Sequence, residues 1–344
     1  MDVVIMNRAS KALWAPRQAF MWAFKLFLLS VGLTVGLWLA FFVLSTLVFS
    51  SPEPVASTTT GVVSLVMERV EGLEEWVGLW MALFALNTCA AVVASTSSAL
   101  LLLLLPLQVP DIQSRMAHPR YERFAKILDK LIYALWTPCF HVFKRFDRGF
   151  AQRYEVDPPS SQFQGFWRLC GYSGIGFRNI FYVFPFVIPA LTAIINGSLI
   201  GMVLAVNLAM GAYAGFLVAG IPGLAIGSVL NVLYFLSAIL PHGILEVFAV
   251  FMAIAVGQGF AALYSNEIFE RGLLIDHRLE AFDKDLKYLV TVTKQFLTSR
   301  RVLTTQAVIV GLLFLSAYIE AYITPTIVAN VLTVLREIWV TSLG

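Results

Sequence analysis

The chain has 344 residues, 59% of them hydrophobic and 13% charged, with a mean hydropathy of +0.80 and a net charge of +3. A water-soluble globule of this composition would expose large apolar surface, which excludes a soluble catalytic domain, and the small net charge gives no reason to expect nucleic acid as a partner. With lipid as solvent the backbone has to bond to itself, so the expected fold is all-α: a polytopic bundle of transmembrane helices, each needing about 20 apolar residues.

The first apolar run, Phe20 to Phe49, is too long for a signal-peptide core. It follows Arg8, Lys11 and Arg17, which reads as an uncleaved anchor with a cytoplasmic N-terminus. From Ser50 to Glu75 the chain holds Glu53, Glu68, Glu71, Glu74 and Glu75 against Arg69 alone, which suits an outer loop. A second span follows, about Trp76 to Leu107, closing a region 1–107.

Residues 108–178 then form a basic segment that the positive-inside rule places in the cytoplasm. Its charges run from Arg115, Arg120, Arg123, Lys126 and Lys130 through Lys144, Arg145, Arg148 and Arg153 to Arg168 and Arg178. Phe124, Ile127 or Leu128, Leu131 and Leu135 recur at helical spacing, with Arg123, Lys126, Asp129 and Lys130 on the other face. Such a helix can lie on anionic lipid or pack on a neighbouring helix or subunit, with Arg123, Lys126, Lys130, Lys144, Arg145 and Arg148 as the contact residues.

Residues 179–263 form the membrane core. Asn196-Gly197, Gly220-Ile221-Pro222-Gly223 and Pro241-His242-Gly243 interrupt it, so broken or re-entrant helices are expected, with two or four crossings. A second charged cytoplasmic segment, 264–301, carries Ile275, Leu279, Phe282, Leu286 and Leu289 at alternating steps of four and three. That stripe pairs with itself in a homodimer or packs on the protein's own cytoplasmic face. The last span, about Val302 to Ile323 within 302–344, ends at Pro325 and leaves the C-terminus outside. The total is five or seven crossings of a cell membrane.

Cys89, Cys139 and Cys170 form no CxxC pair and read as apolar fillers. HExxH, a GxSxG elbow and GxGxxG are all absent, so no enzyme and no cofactor are expected. The chemistry-bearing groups inside the apolar runs are His242, Glu246 and Glu320, with Asn87, Asn196, Asn207 and Asn231. On a helix starting near Pro241, His242 and Glu246 share a face and come within hydrogen-bond reach, and Glu246 lies in the first turns, where the helix dipole favours it. A carboxylate at mid-membrane costs about 2.5–3.5 kcal/mol on insertion scales unless paired or hydrated, so Glu246 needs a partner. These groups suit a hydrogen-bonded lock between helices, a proton or ion pathway, or a docking surface within the membrane. One histidine and two carboxylates are a thin ligand set, and no metal is expected from spacing alone. Glycines four apart at Gly32/Gly36, Gly197/Gly201, Gly211/Gly215 and Gly223/Gly227 permit close helix approach, within the chain or in a dimer.

Three patches resemble the stage II sporulation protein M family. They are Ile195-Asn196-Gly197-Ser198-Leu199-Ile200-Gly201, Leu240-Pro241-His242-Gly243-Ile244-Leu245-Glu246 and Ile319-Glu320-Ala321-Tyr322-Ile323-Thr324-Pro325, in the family's order. The segment from Gln108 to Arg178 is longer than the connection the family has. The resemblance implies a five-span core acting as a membrane scaffold or membrane-shaping factor that recruits partner proteins and catalyses no reaction. The alternative left by the residues themselves is a channel or secondary transporter using His242, Glu246 and Glu320.

Overall fold

The computed structural model describes residues 16–49, 53–146, 148–157 and 163–343, and among these there is helix and no strand. In chain order the α-helices are α1 (Pro16–Phe49), α2 (Glu53–Val77), α3 (Leu79–Leu102), α4 (Gln108–Ala117), α5 (Pro119–Phe146), α6 (Arg148–Arg153), α7 (Gly174–Arg271), α8 (Leu279–Thr298), α9 (Arg300–Tyr318) and α10 (Thr324–Leu343). Four runs of helix are long and apolar enough to cross a membrane: Arg17–Val48, Leu79–Ala117, Gly174–Arg271 and Arg300–Ser342. They turn leucines outward, Leu37 being 70% and Leu47 77% exposed, as suits helices solvated by lipid. Arg8 and Lys11 lie outside the described residues.

The expected interruptions of the membrane core resolve into one. Helical geometry fails at Ala219 (φ −137°, ψ 22°) and Gly220 (φ 60°, ψ −138°), so α7 is two limbs, 174–218 and 221–271. The positive φ at Gly220 is left-handed backbone that glycine adopts without a Cβ clash. Beside this turn the limbs press together. A Cβ on Gly215 would lie 1.9 Å from the Gly223 carbonyl oxygen, and one on Gly227 2.0 Å from that of Gly211. The small residues therefore set the spacing of a helical hairpin.

At Asn196-Gly197 and at Pro241-His242-Gly243 the helix runs through, contrary to the sequence expectation. Pro241 removes only one backbone donor, and the bonds of the flanking turns hold the helix together. Asn196 turns its Nδ2 back to the Thr192 carbonyl at 2.9 Å, within its own helix. Two other boundaries differ. Glu53–Val77 is a helix where an outer loop was expected, with Val55, Thr59 and Val70 buried and Glu68, Glu71, Glu74 and Glu75 exposed. Nor does the last helix end before Pro325: five residues of π-helix, Ile319–Ile323, carry it into α10. Proline sits at the second residue of α10, directly after the π-helical stretch.

The chain divides into two compact units. The unit comprising Phe20–Val92, Ala190–Ile254 and Thr305–Gly344 holds the hairpin turn. There α1 packs on both limbs. Phe251 meets Phe20, Phe24 and Phe27 edge-on at centroid distances of 5.5, 5.9 and 5.0 Å. Cβ atoms on Gly197 and Gly201 would fall 2.6 and 2.8 Å from the carbonyl oxygens of Phe27 and Val31. Ser30 sits in the same crossing, donating to the Ile194 carbonyl at 2.8 Å with its Oγ also 2.8 Å from that of Ser198. Gly32 and Gly36, by contrast, have open space where a Cβ would go.

The other unit comprises Met1–Ala19, Val93–Pro189 and Ala255–Thr304. It has an aromatic core in which Trp167 stacks near Phe166, Phe177 and Phe282 at 4.4 to 5.5 Å. The Trp167 indole N–H donates to the Asp276 carbonyl at 2.9 Å. Phe282, Leu286 and Leu289 of α8 are fully buried in this core, so the stripe considered for self-pairing is taken up by the chain's own packing. A buried ion pair joins α4 to α5: Arg115 Nη2 donates to Asp129 Oδ1 at 3.1 Å, Nη1 binds Oδ2, and Nε donates to Asp111 at 2.8 Å. Asp129 also accepts from the Gly171 N–H at 2.9 Å, so the charged pair is hydrogen-bonded on both sides. Cys170 is buried beside it, and burial pushes its thiol up to about 12.

This anchoring decides how α5 faces. Ala125 and Asp129 are buried and Phe140 fully so, while the apolar stripe points outward: Phe124 is 64%, Ile127 70%, Leu131 56% and Leu135 67% exposed.

Candidate functional site

His242 stands on limb 221–271 one turn before Glu246, and Glu320 stands in the π-helical stretch between α9 and α10. Ring nitrogen and carboxylate oxygens of the three residues lie within 4.8 Å of one another. The side chains that sequence reading grouped by chemistry, from positions far apart in the chain, thus share one place. The His242 Nε2 and Glu320 Oε1 atoms are 3.9 Å apart, beyond hydrogen-bond range, with the imidazole 12% and the Glu320 carboxylate 29% exposed.

Two residues that the sequence reading missed hold the arrangement. Thr324 Oγ1 lies 3.3 Å from His242 Nδ1 and donates to the Ile319 carbonyl at 3.2 Å. Ser316 donates to the His242 carbonyl at 3.1 Å. Ser316, Glu320 and Thr324 are spaced by four, so they share a face of the last helix, and that spacing was readable beside Glu320. The π-helical stretch widens the turn that carries Glu320, and such turns recur at functional sites.

The expected pairing of His242 with Glu246 is replaced by the bond to Thr324. Pro241 lies inside its limb, which begins at 221, so Glu246 is not in a first turn and the helix dipole gives it no support. Gly243 is buried in the same turn. Among the described residues no hydrogen bond or ion pair holds the Glu246 carboxylate, which is half-buried. Asn196, Asn207 and Asn231 do not join the group. Each donates to the carbonyl four residues earlier in its own helix, at 2.9, 2.9 and 3.1 Å.

The basic residues of the surface reading scatter. Arg123, Lys130 and Arg145 are exposed, and Lys126 pairs with Glu122 at 2.7 Å. Lys144 sits over the Tyr154 ring at 5.1 Å. The side chain of Arg148 lies outside the described residues.

Among known families, residues 177–325 match the model of Stage II sporulation protein M. All three patches that carry the resemblance lie within that match, and the resemblance is borne out there. The helices α1 to α6 lie outside it. No curated protein and no solved structure matches the chain.

Proposed function

Proceeding from a membrane core of the stage II sporulation protein M kind, we propose that the chain is a non-enzymatic integral membrane scaffold whose service is to hold partners at a membrane. The observation that supports this is the use made of the family-matched patches. Gly197 and Gly201 are spent on the crossing with α1, and His242 is tied to Ser316 and Thr324 of the last helix. The chemistry of the segment is directed at joining helices, which is what a rigid platform needs.

In this reading α1, α3, the two limbs of α7 and the α9–α10 run are five crossings. The N-terminus and the basic segments 108–178 and 264–301 are cytoplasmic, and the C-terminus is outside. The outward stripe of α5, flanked by Arg123 and Lys130, is the recruiting face, resting on anionic lipid or holding a partner's apolar surface.

Affinity capture from native membranes tests the proposal, comparing the wild type with Ile127→Asp/Leu131→Asp, two exposed positions that do not enter the core. A discrete protein that co-purifies with the wild type and drops at least tenfold with the variant is expected. An identical background from both would overturn the recruiting role.

A further inference from the structure

We propose that His242, Glu246 and Glu320 bind one divalent transition-metal cation of the zinc type, which ties the last helix to limb 221–271. This goes beyond the scaffold reading and stands or falls separately from it. The first ground is convergence. One imidazole nitrogen and two carboxylate oxygens, from two helices, lie within 4.8 Å of one another. Zinc sites with three protein ligands and one exchangeable water use this type of donor, at about 2.0–2.2 Å from the ion. Ligand atoms around a tetrahedral ion at those lengths are roughly 3.4 Å apart. The His242–Glu320 pair at 3.9 Å needs only a closing of about half an ångström by flexible side chains, a small move on this scale.

The second ground is the orientation of the ring. Thr324 spends its hydroxyl proton on the Ile319 carbonyl, so toward His242 it offers a lone pair and accepts from Nδ1–H. That leaves Nε2 as a bare lone pair on the side of Glu320. Fixing a histidine's second nitrogen by a hydrogen bond is how proteins present such a ligand. The third ground is the mutual repulsion of the group. A lone pair and two carboxylates that face one another in a low-dielectric segment, with no arginine or lysine in contact among the described residues, are stabilised by a cation held between them. Imidazole and carboxylate together suit zinc and its first-row neighbours better than magnesium or calcium.

The test is zinc binding by the purified full-length protein in detergent, with His118, His141 and His277, all exposed, changed to Asn to remove adventitious sites. After equilibration with a buffered zinc solution, metal analysis should find about one zinc per chain, and zinc should raise the midpoint of thermal unfolding. Glu246→Gln and Glu320→Gln should each weaken binding at least tenfold and abolish the thermal shift. Thr324→Val, which touches no ligand atom directly, should weaken it about 10–100-fold by freeing the ring. Ser228→Ala removes only a bond to the Leu224 carbonyl of its own helix and should leave the affinity unchanged. Absence of stoichiometric zinc in the wild type, or equal zinc in wild type and both glutamine variants, would overturn the site. Partner capture would then be unaffected, which keeps the two proposals apart.

Discussion

Ser98 donates its hydroxyl to the carbonyl oxygen of Pro185 at 3.1 Å, and that carbonyl is one the helix itself leaves unpaired, because Pro189 four residues on has no N–H. A side chain of α3 thus supplies the bond that proline removes from the first limb of α7. Buried orphan carbonyls are costly in hydrocarbon, so Ser98→Ala should lower stability by about 1 kcal/mol. The check is the thermal unfolding midpoint in detergent. An unchanged midpoint would mean the bond contributes nothing.

The hairpin predicts a sharp contrast among glycines. Gly215→Val places a side chain against the Gly223 backbone, where neither limb can yield without separating, and should cost more than about 3 kcal/mol. Gly32→Ala and Gly36→Ala meet open space and should be neutral or slightly stabilising, since alanine is the better helix former by about 1 kcal/mol. Measuring all three midpoints side by side checks the assignment.

The buried pair Arg115–Asp129 should behave asymmetrically. Arg115→Met alone strands a buried carboxylate and should cost about 3–5 kcal/mol. Adding Asp129→Leu should recover much of this, but not all, because the Gly171 N–H loses its acceptor. Near-ultraviolet circular dichroism, to which the buried Trp167 and its aromatic neighbours contribute, would report the loss and partial return.

Cys170 should resist alkylation. With its thiol pushed up to about 12, the thiolate fraction at pH 8 is about one in ten thousand, and the side chain is buried as well. The sign is that of a group whose charged form burial disfavours, so reactivity should rise only as pH climbs towards that value or as the unit unfolds. Iodoacetamide labelling read by mass spectrometry should find Cys170 unmodified in the native protein and modified in denaturant.

The parts of this fold that were legible in the sequence are those written in local composition. Apolar runs gave the membrane helices, and the Gly220-Ile221-Pro222-Gly223 cluster gave the hairpin turn, because there glycine must take a left-handed backbone. The same cue misled at Pro241, where one missing donor does not break the helix once the neighbouring turns hold. The grouping of His242, Glu246 and Glu320 was legible because ionisable residues in apolar runs are few and need one another. What spacing concealed was three-dimensional. The outward turn of the α5 stripe depends on Asp129 meeting Arg115 and Gly171, and the aromatic core joins Trp167 to Phe282 across the whole of α7.

In the proposed scaffold, His242 of the family-matched segment joins two helices through Ser316 and Thr324 rather than lining a pathway. Flux of protons and common ions into liposomes holding the purified protein, compared with Glu246→Gln, tests it most directly. No flux above protein-free liposomes is expected for either form. Flux in the wild type that Glu246→Gln abolishes would contradict it and make Glu246 a pathway residue.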